Sequence, residues 1–231
     1  STTDPLGDIT RYAYDALNRL TATTDAYGTA LQRTTTTVYD QAGNVLSAID
    51  PRGTTTSYGY DVRNRPVQQI DAYGTALQRT TTKTYDAVGN VQSVTNPRGT
   101  TTSYVYDADD RPTQRIDAYG TSLQRTTTTV YDAIGNVQSV TNPVATTSYV
   151  YDALNRVTQT TEAYGSSVQR TTTTAYDPVG NVQSTVNPRG VTTSYGYDAL
   201  NRRTQRLDAY GTGLQRTLAT AYDAVGNVQS A

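Results

Sequence analysis

The chain contains no Cys, His, Met, Trp or Phe. Each absence removes a class of chemistry. Without Cys there are no disulfides and no thiol nucleophile. Without Cys and His, Ser-His and Cys-His catalysis are both excluded. No apolar run approaches the ~20 residues of a membrane-spanning helix, so no membrane span is expected. The formal net charge is −1. A nucleic-acid binder would want a basic surface, so no nucleic-acid partner is expected, and neither is electrostatic attachment to anionic lipid. No Asn has Ser or Thr two positions on, so N-glycosylation sequons are absent. The chain starts at Ser1, not Met, and no signal peptide is expected within it. That is the pattern expected of a processed chain or a piece of a longer one.

What is present is narrow in kind. Thr occurs 46 times and Tyr 20 times in 231 residues. Leu, Ile and Val together number 38, below the roughly 20% under which disorder is suspected. The disorder signature also needs a high net charge, which is missing here. Thr and Tyr are strand formers. The composition therefore predicts an ordered β protein with a thin apolar core.

The dipeptide Tyr-Asp recurs through the whole chain. It stands at Tyr14-Asp15, Tyr39-Asp40, Tyr60-Asp61, Tyr85-Asp86, Tyr106-Asp107, Tyr131-Asp132, Tyr151-Asp152, Tyr176-Asp177, Tyr197-Asp198 and Tyr222-Asp223. Spacings of 25 and 21 alternate, once shortened to 20, so the true period is 46 residues. Internal repeats of this length point to a repeat architecture. The chain reads as a single array of five periods, 1–46, 47–92, 93–138, 139–183 and 184–229. It enters and leaves in mid-unit and shows no atypical capping repeats, so a segment of a longer array is expected.

Each unit reads as two strands and two turns. In the shorter unit, 44–50 is a short strand, Asp50-Pro51-Arg52-Gly53 a turn, and 54–61 the return strand. Pro presets φ and Gly supplies a permissive backbone there. The longer unit has Asp71-Ala72-Tyr73-Gly74 instead, and its return strand is expected to lengthen over 75–86. Turns that follow Tyr-Asp carry Gly or Asn where positive φ is needed. The extra length is four residues, an even number, so Tyr can keep its face. One unit, 142–152, has lost a residue and its turn Gly. A loss within the strand would flip every later side chain, so the turn is predicted to absorb it.

Units such as YDAVGNVQSVTNPRG and YDALNRLTATTDAYG resemble the RHS or YD repeat, whose general form is Tyr-Asp-x-x-Gly-Arg-Leu, a short strand, then Asp-x-x-Gly. The resemblance covers essentially the whole chain. The Gly-Arg of that form is replaced by Gly-Asn at 43–44, 89–90, 135–136, 180–181 and 226–227. It is Asn-Arg at 18–19, 64–65, 155–156 and 201–202, and Asp110-Arg111 once. The resemblance implies an all-β fold of tandem hairpins stacked into one continuous spiralling sheet, as a hollow tube, shell or rod. It also implies large secreted or surface proteins. These include polymorphic toxins whose shell encloses a C-terminal toxic domain, and teneurin-like adhesion proteins.

Near-identity of the repeats here favours a regular rod over a closed capsule. Four strands per period at ~4.8 Å advance about 19 Å, and five periods about 95 Å if the sheet is straight. Equivalent arginines (Arg33, Arg79, Arg125, Arg170, Arg216) would then lie beyond the ~8 Å Debye length. Cross-strand Thr and Tyr pairs, each contributing about 0.2–1 kcal/mol, would stand in for a conventional core.

No catalytic, cofactor or metal residues are assigned. Nearly every Asp sits in Tyr-Asp or opens a turn, where its side chain can accept backbone N–H bonds. The turns show no dense ligand run of the kind that binds Ca²⁺. Asp4-Pro5-Leu6-Gly7 looks like the cleavage-point sequence of toxin-type relatives but aligns with an ordinary turn. Tyr rows could stack on sugars, and Thr runs (34–37, 80–82, 126–129, 171–174) could carry O-linked glycan; packing and β-propensity are the plainer readings. The expected function is a non-enzymatic structural segment of an extracellular or cell-surface filament, associating with further repeats or identical chains. A toxin-enclosing shell and a carbohydrate-binding stalk are the alternatives.

Overall fold

The computed structural model describes residues 1–230. It is all-β, with 22 strands and no helix among the described residues. Two compact units divide the chain, one covering Ser1–Arg125 and the other running from Thr126 onward.

In the first unit the strands Ile9–Tyr14, Leu20–Asp25, Arg33–Tyr39, Val45–Ile49, Thr55–Tyr60 and Pro66–Asp71 follow one another. Each pairs antiparallel with the next. The meander continues through Arg79–Tyr85, Val91–Thr95, Thr101–Tyr106 and Pro112–Asp117. In the second unit the same order runs from Val137–Thr141 to Arg216–Ala219. A short pair, Ala221–Tyr222 with Val228–Ser230, follows. Both units thus show the stacked hairpins that the repeat predicted.

The thin core expected from composition is thinner still. No apolar side chain is buried among the described residues, and Thr161, at 2% exposure, is the sole buried polar one. A single sheet layer has no second layer to bury a face against. Cohesion falls to backbone ladders and to side chains paired across strands. Thr24 bonds Thr34 (3.1 Å), Thr95 bonds Thr101 (2.9 Å) and Thr161 bonds Thr171 (3.2 Å) through their hydroxyls. The arginines that open the long-unit strands stand opposite an acid: Asp25 faces Arg33, Asp71 faces Arg79, Glu162 faces Arg170 and Asp208 faces Arg216. Opposite charges in directly paired positions are favourable.

The longer unit corrects one expectation. Its return strand does not extend back to the turn; it spans Arg79–Tyr85, one residue more than Thr55–Tyr60. The extra residues form a loop instead. Gly74 has φ 78° and Ala72 has φ 50°. The Thr75 hydroxyl donates to the Ala72 carbonyl (2.8 Å) and accepts the Leu77 N–H (3.1 Å). Gln78 Oε1 accepts the Gly74 N–H (3.2 Å), and the Tyr73 N–H donates to the Thr55 carbonyl (2.8 Å). Side chains thus satisfy backbone groups that a strand would have needed a neighbour to satisfy. The left-handed Ala recurs at Ala26, Ala118, Ala163 and Ala209, a conformation that costs a non-Gly residue roughly 1–2 kcal/mol.

The shortened unit behaves as predicted. Thr141 pairs with Thr146 and Ser139 with Ser148, matching Ile49 with Thr55 and Ser47 with Ser57. The Asn142 N–H donates to the Ala145 carbonyl, where the complete turn has Asp50 donating to Thr54. The turn tightens and the register survives.

Candidate functional site: the Tyr-Asp rim

All the Tyr-Asp motifs end a strand and begin a turn, so in each unit they line one end of the hairpins. Positive φ falls where the sequence placed it: Asn18, Asn64, Asp110, Asn155 and Asn201 lie at 59–60°. In the other turns Gly43, Gly89, Gly135, Gly180 and Gly226 lie at 93–116°. Only the latter set requires Gly-like freedom; the former uses residues tolerant of left-handed backbone.

Asp61 shows how the Asp works. Its amide donates to the Arg65 carbonyl (3.0 Å) and its carbonyl accepts the Asn64 N–H (3.0 Å). Oδ1 accepts the N–H groups of Arg63 (2.9 Å) and Arg65 (3.0 Å). Oδ2 accepts Arg65 Nε at 2.7 Å. The Arg65 N–H is the main cause holding this carboxyl below its ordinary value; partial burial opposes it, and the Arg65 side chain assists. Asp86 uses the same oxygen for Val88 (3.1 Å), Gly89 (2.7 Å) and Asn90 (2.8 Å). There partial burial, which raises the value, is outweighed by the Gly89 and Asn90 hydrogen bonds. Asp4 accepts Leu6 and Asp8 N–H groups in the same manner (2.9 Å each), which makes it an ordinary turn residue of its unit.

The Tyr hydroxyls tie consecutive strands together. Tyr39 donates to the Leu20 carbonyl, Tyr60 to Val45, Tyr85 to Pro66 and Tyr106 to Val91, all at 2.9–3.0 Å. Tyr151, Tyr176, Tyr197 and Tyr222 donate to Val137, Val157, Val182 and Arg203. The acceptor is the first residue of the preceding strand in all but the last case, where Arg203 opens the strand before that one. Tyr131 ends its strand in the same place. Tyr14 is 59% exposed.

Two features went unread in the sequence. First, the register shifts by one residue just before these tyrosines, for example between Gly59 and Tyr60 and between Thr84 and Tyr85. Such bulges bend the strand and re-aim a side chain. Second, within each unit successive turns are stitched together. Arg65 Nη1 donates to the Asp86 carbonyl (3.3 Å), and its guanidinium lies 4.5 Å from the Tyr85 ring. Asn90 Nδ2 then donates to Asp110 Oδ1 (2.7 Å) in the turn after. Arg19 repeats the first link with Asp40 and Tyr39 (2.8 and 4.6 Å), and Asn44 the second with Asn64 (2.9 Å). In the second unit Arg156 stacks on Tyr176 (4.5 Å) and Asn181 bonds Asn201 (2.9 Å). The alternation of Asn-Arg with Gly-Asn is therefore functional: one type of turn reaches forward with a cation, the other with an amide. That alternation was the available signal.

The sheet face offers little chemistry. Tyr58, Tyr60, Gln69, Thr81 and Lys83 line a groove of about 280 Å³, with no acid–base pair in it. No cluster of potential metal ligands exists among the described residues. Among the described residues no helix is long and apolar enough to cross a membrane.

The RHS-repeat family model matches residues 1–30, 39–76, 85–122, 131–167 and 176–212. The chain belongs to the RHS-repeat family. Each match begins at or near a Tyr-Asp motif except the first, and five matches cover most of the array. No curated protein matches the sequence. Among solved structures, the RHS-repeat chain resembles one in a crystal structure of TcdB2-TccC3-Cdc42, with TM-score 0.76, 14% identity and 95% of this chain covered. A chain of the Photorhabdus luminescens Tc holotoxin pore gives TM-score 0.68, 17% identity and 96% coverage. This chain spans only 13% and 14% of those chains. At such identity the likeness is one of fold. The chain is a structural RHS-repeat segment of all-β architecture.

Proposed function

We propose that this segment is a non-enzymatic building element of an extracellular or cell-surface filament, formed by continued stacking of the same hairpins. The carrying observation is the rim. Arg and Asn links, Tyr hydroxyl links and turn carboxylates recur with the same partners in successive periods, so an added period finds the contacts it needs already presented. The absence of a buried apolar core among the described residues agrees with cohesion of this nearest-neighbour kind. The whole array 1–231 acts as one repeat region of a longer chain, and its partners are further copies of the repeat.

A second reading is favoured by the fold likeness to the TcdB2-TccC3 chain: the segment would form part of the wall of a hollow shell. Electron microscopy of the full-length protein from its native source separates the two. Continuous filaments with an axial repeat related to about 19 Å of sheet advance support the first reading. Discrete hollow particles overturn it in favour of the second.

A further inference from the structure

The tyrosines fall into three structural sets. Most of those in the Tyr-Asp rim donate their hydroxyls to carbonyls. Those of the sheet face, such as Tyr58 and Tyr104, are half-buried. The third set sits in the long loops: Tyr73, Tyr119, Tyr164 and Tyr210 are 53%, 54%, 58% and 52% exposed. Their hydroxyls have no hydrogen-bond partner among the described residues. Each has an exposed aliphatic neighbour four positions on, Leu77, Leu123, Val168 or Leu214, at 67–82% exposure.

Phenols of this kind are oxidisable, and the chain has removed the competition. Cys, Met, Trp and His, the other side chains that a one-electron oxidant would attack, are all absent. We propose that Tyr73, Tyr119, Tyr164 and Tyr210 are modification sites at which this chain is covalently joined to a second copy of itself through dityrosine. The co-reactant is a peroxide-driven one-electron oxidant of the peroxidase class. Each phenol gives up one electron and one proton. The two phenoxyl radicals join through ring carbons ortho to the oxygens, and the ring hydrogens return to the oxygens as the rings regain aromaticity. Two phenols and one hydrogen peroxide yield one dityrosine and two waters.

Geometry makes the partner a second copy. Within the first unit Tyr73 and Tyr119 are separated by four strands, about 19 Å at the usual strand spacing, beyond the joint reach of two phenol side chains. A neighbouring copy carries the same loops at the same period, so within each unit one contact in register brings the next into register. Tyr27 is a built-in contrast. Arg11 Nη1 donates to its hydroxyl at 2.6 Å and the guanidinium lies 4.9 Å from the ring. A cation there opposes loss of an electron from the ring. Burial also holds the rim phenols of Tyr60 and Tyr106 above their ordinary value, which keeps them from the more readily oxidised phenolate.

The inference rests on the reading of the array as a filament whose copies touch. Its test uses unlabelled and heavy-isotope-labelled full-length protein, mixed and treated with peroxidase and hydrogen peroxide. Tyr14, which is exposed, is changed to Phe in every sample. Cross-linked peptides are mapped by mass spectrometry. The expected result is dityrosine joining Tyr73, Tyr119, Tyr164 or Tyr210 of a light chain to one of the same four in a heavy chain, with none at Tyr27. It is lost on combining Tyr73→Phe, Tyr119→Phe, Tyr164→Phe and Tyr210→Phe, and kept in Tyr58→Phe/Tyr104→Phe. Circular dichroism checks that each variant is folded. Cross-links confined within single chains, or surviving in the four-loop variant, would overturn the proposal. Intact filaments that form no loop cross-links would overturn it and leave the filament reading standing. Discrete particles that cross-link through the loops would support it and remove the filament reading alone.

Discussion

Acidification through the carboxylate range unfolds the array cooperatively. The Tyr-Asp carboxyls Asp15, Asp40, Asp61, Asp86, Asp107, Asp132, Asp152, Asp177, Asp198 and Asp223 all lie below their ordinary value in the folded chain. The causes differ slightly. At Asp15, Asp61, Asp152 and Asp198 the leading one is the N–H of the Arg four residues on. At Asp40 and Asp223 it is the side-chain amide of Asn44 or Asn227. Because the folded values are depressed, the unfolded chain binds more protons in this range. The stabilisation is fully present above about pH 4, the usual Asp value, and is lost as pH falls through the folded values. These carboxyls recur in all the Tyr-Asp turns, so protonation weakens all of those turns in the same interval. Circular dichroism at decreasing pH should show a single steep loss of strand signal below about pH 4. A sheet unchanged down to about pH 1, below both limits for a salt-bridged Asp, would contradict the role given to these carboxylates.

The alkaline limb has the opposite sign. Tyr60, Tyr106, Tyr151 and Tyr197 are held above their ordinary value, chiefly by partial burial. Their contribution is intact below about pH 10 and is lost as pH rises through the folded values. Loss of the proton also removes the donor that Tyr60 uses on the Val45 carbonyl.

Replacing Arg65 by Ala lowers unfolding free energy by about 2 kcal/mol. Three interactions are lost together. The ion pair with Asp61 at 2.7 Å has side chains 25% and 22% exposed, so on its own it is worth only a fraction of a kcal/mol after screening. The stack on Tyr85 and the hydrogen bond to the Asp86 carbonyl supply the rest, about 1.5 kcal/mol. Lys at the same site recovers less than half. It lacks the planar fork that meets carboxylate, carbonyl and ring at once. Arg52→Ala, in an exposed turn at the opposite end of the hairpin, should change stability by no more than about 0.5 kcal/mol. Urea unfolding of the three variants gives the comparison, and equal effects for Arg65 and Arg52 would remove the rim from the account.

Much of this was legible in the sequence because it is local. Period, turn positions and the left-handed Asn and Gly follow from spacing and from what each residue's backbone tolerates. The tightened turn at 142–145 follows from the two-residue alternation of strands, which forbids any other place for the loss. The long loop was misread because its Thr and Gln look like continued strand. Their side chains instead bond backbone groups two to four positions away, and β-propensity is silent on that choice. The left-handed alanines break a steric rule that sequence reading assumes. The stitches were hidden for a different reason. Asn44 meets Asn64 and Arg65 meets Asp86 across some twenty residues, and pairing at that distance depends on register rather than on composition. The bulge before each Tyr likewise belongs to two strands at once.

If neighbouring turns and strands hold this protein together without a core, stability must grow by nearly equal steps with each period. The direct measurement is urea unfolding of proteins cut to two, three, four and five periods at the same points in the repeat. The account predicts a regular increase in unfolding free energy per added period, as for other nearest-neighbour repeat arrays, and an equal drop per period when Arg65-type residues are replaced. A chain that gains all its stability at one length, with shorter pieces unfolded and longer ones no more stable, would contradict it.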